Sequence, residues 1–268
     1  MTVRFPNRFS ECRSARALSL GKAGAFGLVL AREPEDTDLR HDDPRPALVH
    51  RLGLPAVVVG PSEWSDGLTS VSLDDRPAYL DALRRLAELG HRRIAHVEGP
   101  QEFRHAHRRR SAWEETLREL GLPEGPVLPG GFTAEGGTRA TRALLTLAEA
   151  PTAIVYGNDL AATAGLSVAQ ELGVPVPERL SVVGYDDTPS PATPTPPLSS
   201  ARADADGWGE AAARALDRVR AGEEVAHAVL PPAEFVPRAS IGPAPQPCRR
   251  AATPGSVAED VPPGDEAG

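Results

Sequence analysis

Val155-Tyr156-Gly157-Asn158-Asp159-Leu160-Ala161-Ala162, followed by Leu180-Ser181-Val182-Val183-Gly184-Tyr185-Asp186-Asp187, carries the fold in its pattern. In each stretch a β-branched apolar run stops at a polar pair. Near-continuous apolar runs of this length read as parallel strands buried on both faces. In open α/β sheets, ligands sit beyond the carboxyl ends of such strands. Asn158, Asp159, Asp186 and Asp187 therefore fall where a small polar ligand is held. Their amide and carboxylate groups accept and donate hydrogen bonds at fixed angles, which suits a ligand rich in hydroxyls.

Outward from these stretches, strand and helix patterns alternate. Arg93–Glu98 reads as a strand, Arg108–Leu120 as a helix, Val127–Leu128 as a short strand and Glu135–Leu147 as a helix. Ala153–Tyr156, a helix over Leu160–Leu172 and the strand Leu180–Gly184 continue the series. Such alternation implies βαβ units and a mostly parallel sheet. Upstream, Ala25–Ala31, Pro55–Gly60 and Ser70–Leu73 read as strands and Arg45–Leu52 as a helix. In Arg76–Leu89, Leu80, Leu83, Leu86 and Leu89 recur at helical spacing, and Gly90 ends the helix. Downstream come a proline-rich loop at Pro189–Pro197, an amphipathic helix over Trp208–Arg220 and a late strand or pair of strands in Val229–Arg238. Residues 243–268 have no periodicity and read as a disordered tail.

Composition narrows the function classes. The 268 residues suffice for one or two domains, and 40% are hydrophobic, although only 4% are aromatic. Ala, Leu and Val must supply most of the core. The net charge of −8 argues against a purely electrostatic nucleic-acid binder. Cys12 and Cys248 lie near opposite ends and make neither a disulfide framework nor a metal site. No apolar run is long enough to span a membrane. The N-terminal arginines Arg4, Arg8, Arg13 and Arg16 precede no apolar signal region, so a cytoplasmic location is expected. No nucleophile elbow, metal-ligand spacing or phosphate loop is present, and neither an enzyme nor a cofactor is expected.

Together the two quoted stretches resemble the lactose/galactose repressor (LacI/GalR) family of bacterial transcriptional regulators. Further matches follow in order: Leu89-Gly90-His91-Arg92-Arg93-Ile94-Ala95, Gly99-Pro100, Arg109 with Ala112-Trp113, Phe132-Thr133, Pro151-Thr152-Ala153-Ile154, Gly173-Val174-Pro175-Val176-Pro177, Pro196-Pro197-Leu198 and Arg238-Ala239-Ser240. They cover roughly residues 52 to 242. The resemblance implies a periplasmic-binding-protein-like type I fold of two parallel-sheet α/β lobes, with the N-terminal lobe truncated. By this expectation, residues 1–24 form a hinge-like basic segment. Residues 25–76 and 203–222 form the shortened N-terminal lobe, and 77–202 with 223–242 the C-terminal effector-binding lobe. The family would have two more βα units between the first strand and Leu39–Pro46, something like 60 residues at about 30 per βαβ unit. The implied function is a LacI-type regulator sensing a small sugar-like effector. In intact relatives it would act as a homodimer on operator DNA. The alternative is a stand-alone cytoplasmic sugar-binding or dimerisation protein without DNA binding.

The resemblance also assigns site residues. Arg109, Asn158 and Asp186 match effector-contacting positions, and Phe132 matches an aromatic that stacks on the ligand. The plainer alternative for Asn158 and Asp186 is a helix cap. For Arg109 it is a solvated basic face, since His105, His107, Arg108 and Arg110 surround it. Asp159 and Asp187 are expected to bond backbone at the strand ends. No helix-turn-helix is found, but Pro6-Asn7-Arg8 and Ala15-Arg16-Ala17-Leu18 resemble the family's hinge. There Arg16 and Leu18 would meet DNA, Leu18 as a minor-groove wedge. The plainer alternative is a fraying basic terminus.

Overall fold

The computed structural model describes residues 28–30, 39–188 and 194–246. The hinge candidates Arg16 and Leu18, and most of the expected tail, lie outside the described residues. Two sheets organise the rest. The smaller holds β1 (Leu28–Leu30), β2 (Ala56–Val59), β3 (Thr69–Ser72) and β9 (Ala228–Val229), in that spatial order and all parallel. The larger has six strands in the order β10-β8-β7-β6-β4-β5. These are β4 (Ile94–Glu98), β5 (Val127–Pro129), β6 (Ala153–Tyr156), β7 (Ser181–Tyr185), β8 (Ser199–Arg202) and β10 (Glu234–Val236). Only β10 runs antiparallel to its neighbour.

The larger sheet is buried on both faces, and its strands alternate accordingly. Ile94, Val155, Val183 and Tyr185 face α2 (Arg76–Glu88) and α3 (Arg104–Glu119), packing on Leu83, Leu86, Trp113 and Leu117. Ala95, Val97, Ile154, Tyr156 and Val182 face the other way, onto α4 (Ala134–Leu145) and α5 (Asp159–Glu171). A period of two with both faces apolar explains the continuous apolar runs. In α2 the buried Ala78, Tyr79, Ala82, Leu83 and Leu86 make one helical stripe. Each large side chain buried this way contributes about 1.5–3 kcal/mol.

Close helix contact depends on a missing side chain at Gly137. A Cβ there would overlap the carbonyl of Ala161 in α5. Gly137→Ala gains up to about 1 kcal/mol of helix propensity but forces the helices apart. A net loss of about 1–2 kcal/mol is expected, checked by urea unfolding. A stabilised variant would mean that α4 and α5 can separate without cost.

The smaller lobe packs Leu39, Val49, Ala56, Val58 and Leu68 beneath α1 (Arg45–Arg51), and Val57 and Val71 beneath α6 (Ala205–Arg220). Strands were expected to be missing between the first strand and Leu39. β1 lies directly beside β2, with Leu28 opposite Ala56, and α1 is the described helix between them. The chain returns to the larger sheet later than expected. Residues 223–242 were assigned to the C-terminal lobe, but β9 pairs with β3 in the smaller sheet. The crossing comes at 230–233, because Leu230 N donates to Ser72 O before Ala233 N donates to Asp74 O. The other crossings are at 73–75 and 203–204. No helix among the described residues is long and apolar enough to cross a membrane.

Candidate functional site

The parallel strands β4, β5, β6 and β7 end at one edge of the larger sheet, and the residues just beyond them form the site. Arg109 comes from α3, which follows β4. It is only 2% exposed, so the solvated-face alternative does not hold. Helical spacing explains this: Arg109, Ala112, Trp113 and Thr116 share the buried face, while Arg108 and Arg110 lie beside it, part-exposed. Arg109 Nη1 donates to the Gly157 carbonyl at 2.7 Å. Its guanidinium carbon lies 3.6 Å from the centre of the Tyr185 ring and 5.8 Å from that of Phe132. Asp186 Oδ1 is 3.6 Å from Nη2, and Asp75 Oδ2 is 4.0 Å from Nε. Among the described residues Nε has no hydrogen-bond partner. Burial works against the charge, but attraction to Tyr185, Asp186 and Asp75 outweighs it and raises the pKa.

Phe132 sits in the turn between β5 and α4 with φ 58, an uncommon conformation for an aromatic. Its ring passes over Gly99 and Gly157. A Cβ on Gly99 would overlap the ring, and one on Gly157 would lie 2.9 Å from Cε1. The two glycines at the ends of β4 and β6 therefore make room for this aromatic. His105 stacks on Phe132, with ring centres 5.3 Å apart. Asn158 caps α5: its Oδ1 accepts from Ala161 N and its Nδ2 donates to Phe132 O, both at 3.0 Å. Its capping role is thus realised, and it also fixes the Phe132 turn.

Asp186 caps no helix among the described residues. It adopts φ 115, a conformation that costs a non-glycine residue energy and concentrates at functional sites. Its backbone is held by a hydrogen bond from Asp186 N to Ala201 O at 2.9 Å. Asp187 and Asp159 are structural in geometry. Asp187 pairs with Arg202 at 2.7 Å and Arg238 at 2.6 Å. Burial alone would raise its pKa; bonds from Arg238 and Arg202 bring it below the usual carboxylate value. Asp159 accepts from Ser200 Oγ at 2.6 Å and Thr188 N at 2.8 Å. Burial pushes its pKa up to about 6, against these two bonds.

The structure therefore brings Arg109, Phe132, Asn158 and Asp186 together. It adds two residues that sequence reasoning did not place there. Tyr185 underlies Arg109 and donates from Oη to Asp75 Oδ1 at 2.6 Å. Asp75 stands at the crossing between the lobes, so this bond ties the site to the lobe junction. The one available signal was an aromatic ending an apolar strand immediately before Asp186.

Residues 83–241 match the family model of a periplasmic binding protein-like domain. An HTH-type transcriptional regulator in the aml 5′ region of Streptomyces limosus is 36% identical over 204 residues, covering 74% of this chain and 56% of that protein. The chain thus spans about half the length of that relative. A LacI family transcriptional regulator from Bifidobacterium animalis subsp. lactis superposes with a TM-score of 0.73 at 35% identity, covering 82% of this chain and 78% of that one. A complex of the transcriptional regulator CelR with cellobiose gives a TM-score of 0.69 at 31% identity, covering 81% of this chain and 65% of that one. With two lobes, this domain match and these likenesses, the chain belongs to the LacI family of transcriptional regulators through its periplasmic binding protein-like domain.

Proposed function

We propose that the described lobes are the effector-sensing part of a LacI-type transcriptional regulator, and that the effector is a small neutral sugar or sugar derivative. The observation that carries this reading is the buried Arg109. Its Nε–H has no hydrogen-bond partner among the described residues, and it lies beside the strained Asp186 and under the Phe132 ring. A donor fork, a carboxylate acceptor and an apolar ring face are the three elements a sugar needs: hydroxyls as acceptors, hydroxyls as donors, and C–H faces. Cellobiose, bound in the CelR complex, is the first sugar to try.

Under this reading the ligand settles between the lobes, and a homodimer of the intact regulator transmits the change to operator DNA in the cytoplasm. The coupling is a free energy shared by two sites. The test is thermal unfolding of the full chain against neutral mono- and disaccharides, with sugar phosphates as comparison. A sugar that binds the native state should raise the midpoint by a few degrees. Asp186→Ala should keep the fold and lose that shift. If no sugar moves the wild-type midpoint at millimolar concentration, the effector assignment fails.

A further inference from the structure

Trp64 ends a short 3-10 turn, Ser62–Trp64, immediately after β2 in the smaller lobe. Its indole lies flat over Gly60, where a Cβ would come within 2.8 Å of Cε3. Across the gap, Arg104 and Arg108 stand one turn apart on α3 of the larger lobe. Their guanidinium carbons lie 5.7 Å and 5.5 Å from the centre of that same indole ring. Two cations on one indole make a favourable quadrupole contact that neither lobe forms alone.

The same two turns of α3 meet the smaller lobe at further points. Arg108 Nη2 is 3.4 Å from Asp74 Oδ1, and Arg104 Nε donates to Arg40 O at 2.9 Å. His107 meets His41 edge-on at 5.2 Å. Backbone also crosses the gap. Arg40 and Phe103 form an isolated antiparallel bridge, with His41 N donating to Glu102 O at 3.1 Å and Arg104 N donating to Leu39 O at 3.0 Å. Apart from the Arg108–Asp74 pair, which falls in the crossing at 73–75, these contacts are separate from the three covalent crossings at 73–75, 203–204 and 230–233. They are also separate from Arg109, which lies on the buried face of α3.

We propose that Trp64, gripped by Arg104 and Arg108, is a clasp between the two lobes, and that it sets how readily they part. Three chain crossings leave the lobes hinged, and hinged lobes open unless contacts elsewhere hold them. The clasp sits on the first two turns of α3, the helix that also carries Arg109. Loosening it changes the separation of the lobes without altering any group placed against the effector. The proposal holds whether or not the effector is a sugar.

Hydrogen exchange on the full chain, without ligand, tests it. The amides of His41 and Arg104 donate across the gap and report opening. Those of Val155 and Val183 lie inside the larger sheet and report unfolding. In Trp64→Ala, exchange at His41 and Arg104 should speed up roughly tenfold while Val155 and Val183 keep their protection. Because Trp64 also packs against the smaller lobe's core, a second variant is needed. The double variant Arg104→Gln, Arg108→Gln keeps the indole and much of the helix surface but removes both cations. It should show the same selective acceleration. Unchanged exchange at His41 and Arg104 in the double variant would overturn the clasp. So would acceleration spread equally over Val155 and Val183, since that reports loss of the fold.

Discussion

Arg109→Met should lower the unfolding free energy by about 3 kcal/mol, at the lower end of the range for breaking a buried ion pair by removing one partner. Methionine fills much of the volume and keeps an apolar stem, so the loss isolates the guanidinium. Three things go with it. The Gly157 carbonyl loses its 2.7 Å donor, the Tyr185 ring loses a cation at 3.6 Å, and Asp75 and Asp186 lose their shared counter-charge. An unpaired buried acceptor costs about 1–3 kcal/mol. Two facts keep the total from the upper end. Asp186 is 27% exposed and can hydrate, and Asp75 retains the hydroxyl of Tyr185. Arg109→Lys should recover only part, because an ammonium cannot reach Gly157 O while spreading over the Tyr185 ring. Urea denaturation of the three proteins checks this. A loss below about 1 kcal/mol in Arg109→Met would mean that water replaces the guanidinium at little cost, and that the site is wetter than its burial implies.

That prediction depends on Arg109 being buried, and sequence reading left this open. A run of His105, Ala106, His107, Arg108, Arg109 and Arg110 looks like one solvated face if only composition is weighed. Spacing settles the matter, since Arg109 is four residues before Trp113 and seven before Thr116, both buried. The strands that bear the site were legible for a simpler reason. β6 and β7 are buried on both faces, so their residues form apolar runs, and the polar residue after each run marks the sheet edge. β8 was missed because its sequence is Ser199-Ser200-Ala201-Arg202, with no apolar run. Its two serines are buried all the same, held by Arg238, Ser240 and Asp159. Such satisfaction comes from residues some 40 positions away and leaves no local trace. The late segment 228–236 misled for a related cause. Its two short strands join different sheets, and pairing partners cannot be read from residues this few.

The network under Arg109 extends the site into the core, and it differs in kind from the ion pairs at the surface. Exposed pairs such as Arg214–Glu210 and Arg85–Glu88 are solvated and carry little energy. Below Arg109, by contrast, Trp113 stacks on His96 at 5.5 Å and Tyr79 stacks on Tyr185 at 5.7 Å. Under the proposed function, a ligand held at Arg109 would act on a packed stack of aromatic rings between α2, α3 and the sheet. Such packed elements shift as units rather than deform continuously. Asp75 joins the same stack to the lobe crossing through Tyr185.

His96 makes this stack sensitive to acid. It is fully buried in β4, with Nδ1–H donating to Val155 O at 2.9 Å and Nε2 without a hydrogen-bond partner among the described residues. Burial moves its pKa down from 6.5 to about 4, only partly opposed by the Val155 bond. The folded chain therefore holds His96 neutral where the unfolded chain would protonate it. Stability from this group is fully present above pH 6.5 and is lost as pH falls towards 4. The shift corresponds to about 3 kcal/mol. Asp159 acts with the opposite sign. Its folded pKa of about 6 exceeds the ordinary aspartate value of 3.8, so the folded state binds the extra proton between those values and gains stability as pH falls. The wild-type profile between pH 6 and 4 is thus flattened by opposing groups, and total stability is a poor readout. The difference between wild type and His96→Phe cancels the Asp159 contribution and keeps an aromatic ring against Trp113. From pH 7 to pH 4 that difference should move by about 3 kcal/mol in favour of the variant. Urea midpoints for both proteins across this range provide the measurement. A difference that stays constant with pH would mean that His96 is protonated in the folded state as readily as in the unfolded one, and the core beneath Arg109 would have to admit water.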